Sequence, residues 1–125
     1  MNRLSLAFFS AAALCALCGM VWGVVMGASQ DFTTMPAHAH LNLVGWASLG
    51  LMGTFYALSG KDGRLGWANF ALSFLGVLIM VPGLAIYLGG NHAAFGGVIA
   101  GSVLALLGMA TFVASVLSGW KTAAA

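Results

Sequence analysis

The sequence predicts an all-α protein, a four-helix transmembrane bundle with up-down topology and both termini in the cytoplasm. Of the 125 residues, 62% are hydrophobic and only 5% are charged. A soluble domain of this size carries about 25% charged residues, so water is a poor solvent for this chain. Short polar segments separate four uncharged runs, each as long as a membrane helix. Because only helices and closed barrels satisfy the backbone in lipid, these runs predict helices in a bilayer.

Each uncharged run is long enough to cross the hydrocarbon core, which takes about 20 residues. The predicted helices form a single domain, 1–125, and cover residues 4–28, 36–59, 65–88 and 95–120. The first run exceeds the apolar core of a signal peptide, which is about 7–15 residues long, and is therefore predicted to be a helix. The connections are short, and short connections join antiparallel neighbours.

The basic residues predict the orientation in the membrane. All of them fall on one side of a four-pass arrangement: Arg3, Lys61, Arg64 and Lys121. The opposite side receives Asp31 and no lysine or arginine. By the positive-inside rule, both termini and the middle connection face the cytoplasm of a bacterial inner membrane. The three histidines then lie on the outer side.

Small residues recur on two of the predicted helices. The first helix has glycine at every fourth position from Gly19 to Gly27, and the fourth has Gly97 and Gly101. Such stripes let helix backbones approach closely. Packing within one chain and packing between subunits both explain them, and either interpretation allows the homo-oligomer that we expect.

Composition and motifs exclude several classes of function. The net charge of +2 is too small for nucleic-acid binding. Asp31 and Asp62 lie in opposite connections and do not form an acid-base pair. Cys15 and Cys18 lie among apolar residues, where cysteine behaves as a small apolar side chain. The sequence leaves open whether the protein is an enzyme. If it is one, we expect electron transfer of the oxidoreductase type.

The histidines near the start of the second helix are the candidates for chemistry. His38 and His40 are two positions apart, and at about 100° per residue their rings point about 200° apart. One regular helix therefore offers each imidazole to a different partner. Imidazole binds haem iron and copper well, and ionisable groups within membrane helices are usually functional. Asn42, four residues after His38, is expected to hydrogen-bond its ring. His92 and Met35 are further candidate metal ligands.

The stretch His-Ala-His-Leu-Asn-Leu-Val-Gly-Trp-Ala-Ser-Leu-Gly-Leu-Met-Gly-Thr-Phe-Tyr, residues 38–56, resembles subunit I of the haem-copper oxidases. The similarity is to the nitric oxide reductases and the C-type cytochrome oxidases, whose second helix carries a haem ligand in a His-x-Asn setting. This resemblance implies that His40, followed by Asn42, is a haem ligand. The His-x-His step is also similar to the superfamily's tenth helix, where two histidines ligate two haems on opposite faces, which implies both His38 and His40.

The oxidase subunit is arranged as three similar sets of four helices, and this chain supplies one set. The resemblance therefore predicts a homotrimer in which His38 of one subunit and His40 of the next bind one haem b. The expected function is that of a small membrane haem protein for electron transfer, or for haem or gas sensing. Two alternatives stay open: a module that handles copper or haem through Met35, His38 and His40, and a structural accessory subunit of an oxidase. The redox partner is not indicated.

Overall fold

All elements of the described part of the chain are helices. The computed structural model describes the backbone of residues 1–123 and the side chains of residues 1–119, so the Lys121 side chain lies outside it. The four long helices are α1 (Arg3–Ser29), α2 (Met35–Ser59), α3 (Arg64–Leu88) and α4 (Phe95–Ala123). A 3₁₀ turn, His92–Ala94, precedes α4.

The four long helices are long and apolar enough to cross a membrane, which indicates a multi-pass membrane protein. Their outward surfaces are covered by large apolar side chains; Leu58 is 85% exposed, and Leu51 and Met20 are each 70% exposed. Contiguous apolar surface of this extent is unfavourable in water and matches the hydrocarbon of a bilayer.

The first residues of α1 are held against the end of α2. The Asn2 side chain accepts a hydrogen bond from the Ser5 amide at 2.8 Å, which caps α1. The same side chain donates through Nδ2 to the Lys61 carbonyl at 3.0 Å. Gly60 ends α2 with a positive φ of 67°, a conformation that costs little without a Cβ. These contacts place the start of α1 beside the end of α2.

The core near this end is built from α1 and α2. Leu4, Phe8, Leu49 and Tyr56 are almost fully buried. The rings of Phe8 and Tyr56 stack with centroids 5.3 Å apart. Burying aromatic rings contributes both apolar area and specific ring packing. This cluster positions α1 against α2 along the half of the bundle that carries no histidine.

Helices α3 and α4 pack backbone against backbone. A Cβ at position 76 would lie 2.6 Å from the Ala105 amide nitrogen, and one at position 101 would overlap the backbone of Met80. Gly83 is close to the Val98 nitrogen, which a Cβ would approach to 3.2 Å. Of the two interpretations of the small-residue stripes, packing within the chain therefore accounts for Gly101.

A buried chain of hydrogen bonds joins α2, α3 and α4. The Tyr56 hydroxyl donates to Ser115 Oγ at 3.0 Å and accepts from Asn69 Nδ2 at 3.0 Å. Ser73 Oγ in turn donates to Asn69 Oδ1 at 3.0 Å. Next to this chain of hydrogen bonds, Lys61 Nζ donates to the Ser115 carbonyl at 2.7 Å. Because buried polar groups need partners, each member depends on the others.

Tyr56→Phe is expected to destabilise the protein by about 1–3 kcal/mol, since it leaves buried polar groups of Asn69 and Ser115 short of a partner. The measurement is the free energy of unfolding in detergent micelles. Tyr87→Phe is the matched control because Tyr87 lies outside this chain of hydrogen bonds. Equal stability of the two variants would show that the Tyr56 hydroxyl contributes nothing.

Candidate functional site

The three histidines lie at one end of the helices, which we call the histidine end: His38 and His40 early in α2, and His92 in the turn before α4. The connection from α1 to α2 at this end forms a tight turn. Asp31 accepts hydrogen bonds from the Thr33 amide at 3.0 Å and from the Thr33 hydroxyl at 2.6 Å. These bonds favour the ionised form and lower the pKa of the Asp31 carboxyl. The connection therefore carries a negative charge.

The start of α2 is tied to α1 by Trp22. The Trp22 indole nitrogen donates to Thr34 Oγ1 at 3.0 Å. Thr34 occupies the N-cap position of α2, but its side chain makes no capping hydrogen bond. Pro36 lies in the first turn of α2, where a missing amide hydrogen costs nothing. The first turn of α2, from which the two histidines follow, is thus held in place by a side chain of α1.

His38 points inward, against α1. A Cβ at position 23 would lie 3.3 Å from His38 Cε1, and the Trp22 ring meets the imidazole edge-on with centroids 6.3 Å apart. Asn42 Nδ2 lies 3.1 Å from His38 Nε2, so the expected contact with Asn42 is present. His38 Nδ1 is buried and has no hydrogen-bond partner in the described structure. Nδ1 is therefore enclosed, and Nε2 is occupied by the Asn42 amide.

His40 points the other way, and its side chain is exposed. Its Nδ1 lies 2.7 Å from the Pro36 carbonyl oxygen, one turn earlier in the same helix. A carbonyl only accepts hydrogen bonds, so Nδ1 carries the proton. In the neutral ring the lone pair is then on Nε2. This arrangement holds the imidazole in the tautomer and orientation that a metal ligand needs.

The remaining candidates are separate from this arrangement. His92 is exposed on the 3₁₀ turn, and its ring meets Tyr87 edge-on with centroids 5.0 Å apart. Met35 is 49% exposed at the first position of α2. Within the described residues, no three His, Cys, Asp or Glu side chains are grouped closely enough to hold a metal ion.

Directly after His40, α2 changes its winding. Residues Leu41–Ser48 form a π-helix, and the Ser48 hydroxyl donates to the Leu43 carbonyl, five residues back, at 2.8 Å. The wide turn accompanies a close approach to α1, since a Cβ at position 45 would lie 2.9 Å from Cys15 Sγ. Segments of π-helix are uncommon and are frequent at functional sites. This one separates the histidine end of α2 from its regular second half.

Sequence reasoning missed the residues of α1 that surround His38. The glycine spacing from Gly19 to Gly23 was the available signal, because it marks where a neighbouring helix approaches. It did not reveal that Asn42 and His38 fill the space above those glycines. The other missed contact is local: Pro36 and His40 are four residues apart, the spacing at which a side chain reaches the preceding turn's carbonyl.

Gly19→Ala is expected to push the Asn42 amide away from His38, because a Cβ at this position would overlap Asn42 Oδ1. Loss of the His38 contact would lower the free energy of unfolding by about 1 kcal/mol. Gly27→Ala makes the same chemical change in open space on the same helix and is the control. Thermal unfolding of the two variants in detergent provides the comparison. A thermal unfolding midpoint of Gly19→Ala at or above that of Gly27→Ala would contradict the packing described for Asn42.

The sequence matches no protein-family model, and comparisons with curated proteins and with solved structures found no significant match. The interpretation of the site therefore rests on its geometry. The histidine end offers one exposed, oriented imidazole at His40 and one sequestered imidazole at His38.

Proposed function

We propose that this chain is a small membrane haem protein that binds haem b through His40 and serves electron transfer or gas sensing. The observation that carries the proposal is the 2.7 Å contact between His40 Nδ1 and the Pro36 carbonyl in an exposed side chain. It leaves Nε2 as an outward-directed ligand atom. The resemblance of residues 38–56 to haem-copper oxidases implies His40 as a ligand in both of its forms, and His38 as well in the form based on the tenth helix.

The number of ligand groups favours haem over a bare copper ion. Haem iron arrives with four porphyrin nitrogens, so the protein needs to supply only one or two axial ligands. A copper ion without a porphyrin draws all of its ligands from the protein or from solvent. The described residues contain no group of three His, Cys, Asp or Glu side chains that would serve it.

The surroundings of His40 suit an apolar macrocycle. Leu43, three residues after His40 and so at neighbouring helical spacing, is 65% exposed. A porphyrin ring placed against this apolar side chain would exchange lipid contacts for protein contacts. His38 has a different role in the proposal: with Asn42 it packs α2 against α1 and so holds the π-helix segment beneath His40.

The orientation in the membrane is part of the proposal. The described basic side chains Arg3, Lys61 and Arg64 lie at the end opposite the histidines, and Asp31 lies at the histidine end. We propose an up-down bundle in a bacterial inner membrane, for which the positive-inside rule places both termini in the cytoplasm. His40 would face the outer half of the bilayer.

The test is an optical spectrum of the protein purified in detergent after expression with haem precursor supplied. We expect a Soret band and, after reduction with dithionite, sharp α and β bands. Haem extracted and quantified against protein gives the stoichiometry. The matched control is His92→Ala, which is expected to retain the spectrum. A flat visible spectrum of the wild-type protein would overturn the proposal.

A further inference from the structure

We propose that two copies of this chain share one haem, each supplying His40 as an axial ligand across a twofold axis. This inference rests on the proposed function and adds the partner and the coordination state. Two axial imidazoles complete the six ligands of a low-spin haem iron. One chain offers one suitable imidazole, so the site is complete only when a second copy is present.

The other histidines do not supply the second ligand in this structure. The ring of His38 faces α1, with Nε2 on Asn42 and Nδ1 buried. The ring of His92 belongs to an exposed turn and lies against Tyr87. His40 lies five residues after the first residue of α2, about 7.5 Å along the helix axis at 1.5 Å per residue. Of the three, it is the imidazole that combines an apolar exposed helix face with a carbonyl-fixed tautomer.

Two copies related by a twofold axis can each supply His40 to the same haem, and this requires no other contact between the copies. Copies inserted in the same orientation carry His40 at the same depth in the bilayer. A twofold axis along the membrane normal then brings the two imidazoles to opposite faces of one macrocycle, as an isologous interface requires. A pairing of His38 with His40 would need the His38 ring to leave Asn42. The shared haem is an alternative to the three-subunit arrangement that the sequence predicts, and the stoichiometry of haem to chain distinguishes the two.

A shared haem has three consequences that can be measured. The stoichiometry would be one haem for two chains, and dimer formation would depend on haem. The iron would have no open position, so the protein would transfer electrons and would not bind gas at the iron. A haem held by His40 alone would instead be five-coordinate and open to ligands such as carbon monoxide.

The experiment is a titration of the haem-free, full-length protein in detergent with hemin, followed at the Soret band and by native mass spectrometry. We expect saturation at half a haem per chain, a mass of two chains plus one haem, and a low-spin ferric electron paramagnetic resonance signal. Hemin should raise the dimer fraction. Saturation at one haem per chain, or a five-coordinate high-spin signal, would overturn the sharing while leaving the haem function intact. Absence of saturable hemin binding would overturn both the shared haem and the proposed haem function.

A mixed-chain capture tests whether each copy contributes His40. Affinity-tagged wild-type protein is expected to capture untagged wild-type chain when hemin is present, and tagged His40→Ala is expected to lose that capture. Tagged His92→Ala should capture as well as wild type. Equal capture by the His40→Ala variant, with the low-spin signal preserved, would overturn the proposal.

Discussion

His40→Ala is expected to lower the haem content of the purified protein by more than about tenfold, whereas His92→Ala leaves it unchanged. The reason is that His40 presents Nε2 outward while its Nδ1 is held by the Pro36 carbonyl. Perturbing even the groups that orient a ligand typically costs 10–100-fold in affinity, and removing the ligand costs at least as much. The measurement is extracted haem per chain together with the reduced spectrum.

His38→Ala separates haem ligation from packing. This change removes an imidazole that is packed against Gly23 and bonded to Asn42. We expect His38→Ala to unfold at a lower temperature but to keep its haem, because His40 is unchanged in this variant. If His38→Ala lost haem while remaining folded and His40→Ala retained it, the assignment of the axial ligand to His40 would be wrong.

Gly76→Ala is expected to destabilise the pair of helices α3 and α4 by about 3 kcal/mol, the upper end of the usual cost of overpacking. The new methyl group would meet the backbone of Ala105, its nitrogen at 2.6 Å. A backbone cannot rotate away as a side chain can, so the helices must separate. The measurement is the free energy of unfolding in detergent.

A graded series of the same substitution controls this prediction. Gly96→Ala adds a methyl group to α4 in open space, and Gly83→Ala adds one 3.2 Å from the Val98 nitrogen. The expected order of stability is Gly96→Ala, then Gly83→Ala, then Gly76→Ala. Equal free energies of unfolding for Gly76→Ala and Gly96→Ala would show that α3 and α4 do not pack as closely as described.

The helices were predictable because the constraint that forms them acts locally. A run of uncharged residues longer than the hydrocarbon is thick must bond its own backbone groups, and the α-helix does so within the segment. The run predicted at 65–88 is Arg64–Leu88 in the structure, and that predicted at 36–59 is Met35–Ser59. The ends follow from local signals such as Gly60, whose positive φ ends α2.

The candidate site was predictable only in part. The spacing of His38 and His40 implies different surroundings for the two rings, and the structure shows one ring against α1 and the other exposed. Which ring faces inward depends on how α2 is rotated about its axis. That rotation is decided by the fit of His38 and Asn42 over Gly23 and Gly19, which are contacts between helices distant in sequence.

The four apolar helices and the placement of the histidines at one end thus follow from the sequence, because hydrophobic length and residue spacing act within each segment. The tertiary structure decided which imidazole is sequestered, the π-helix at Leu41–Ser48 and the close packing of α3 on α4. These features depend on side chains or backbone of one helix occupying the space that glycines leave on another. Such complementarity exists only after the helices meet, so no single segment specifies it.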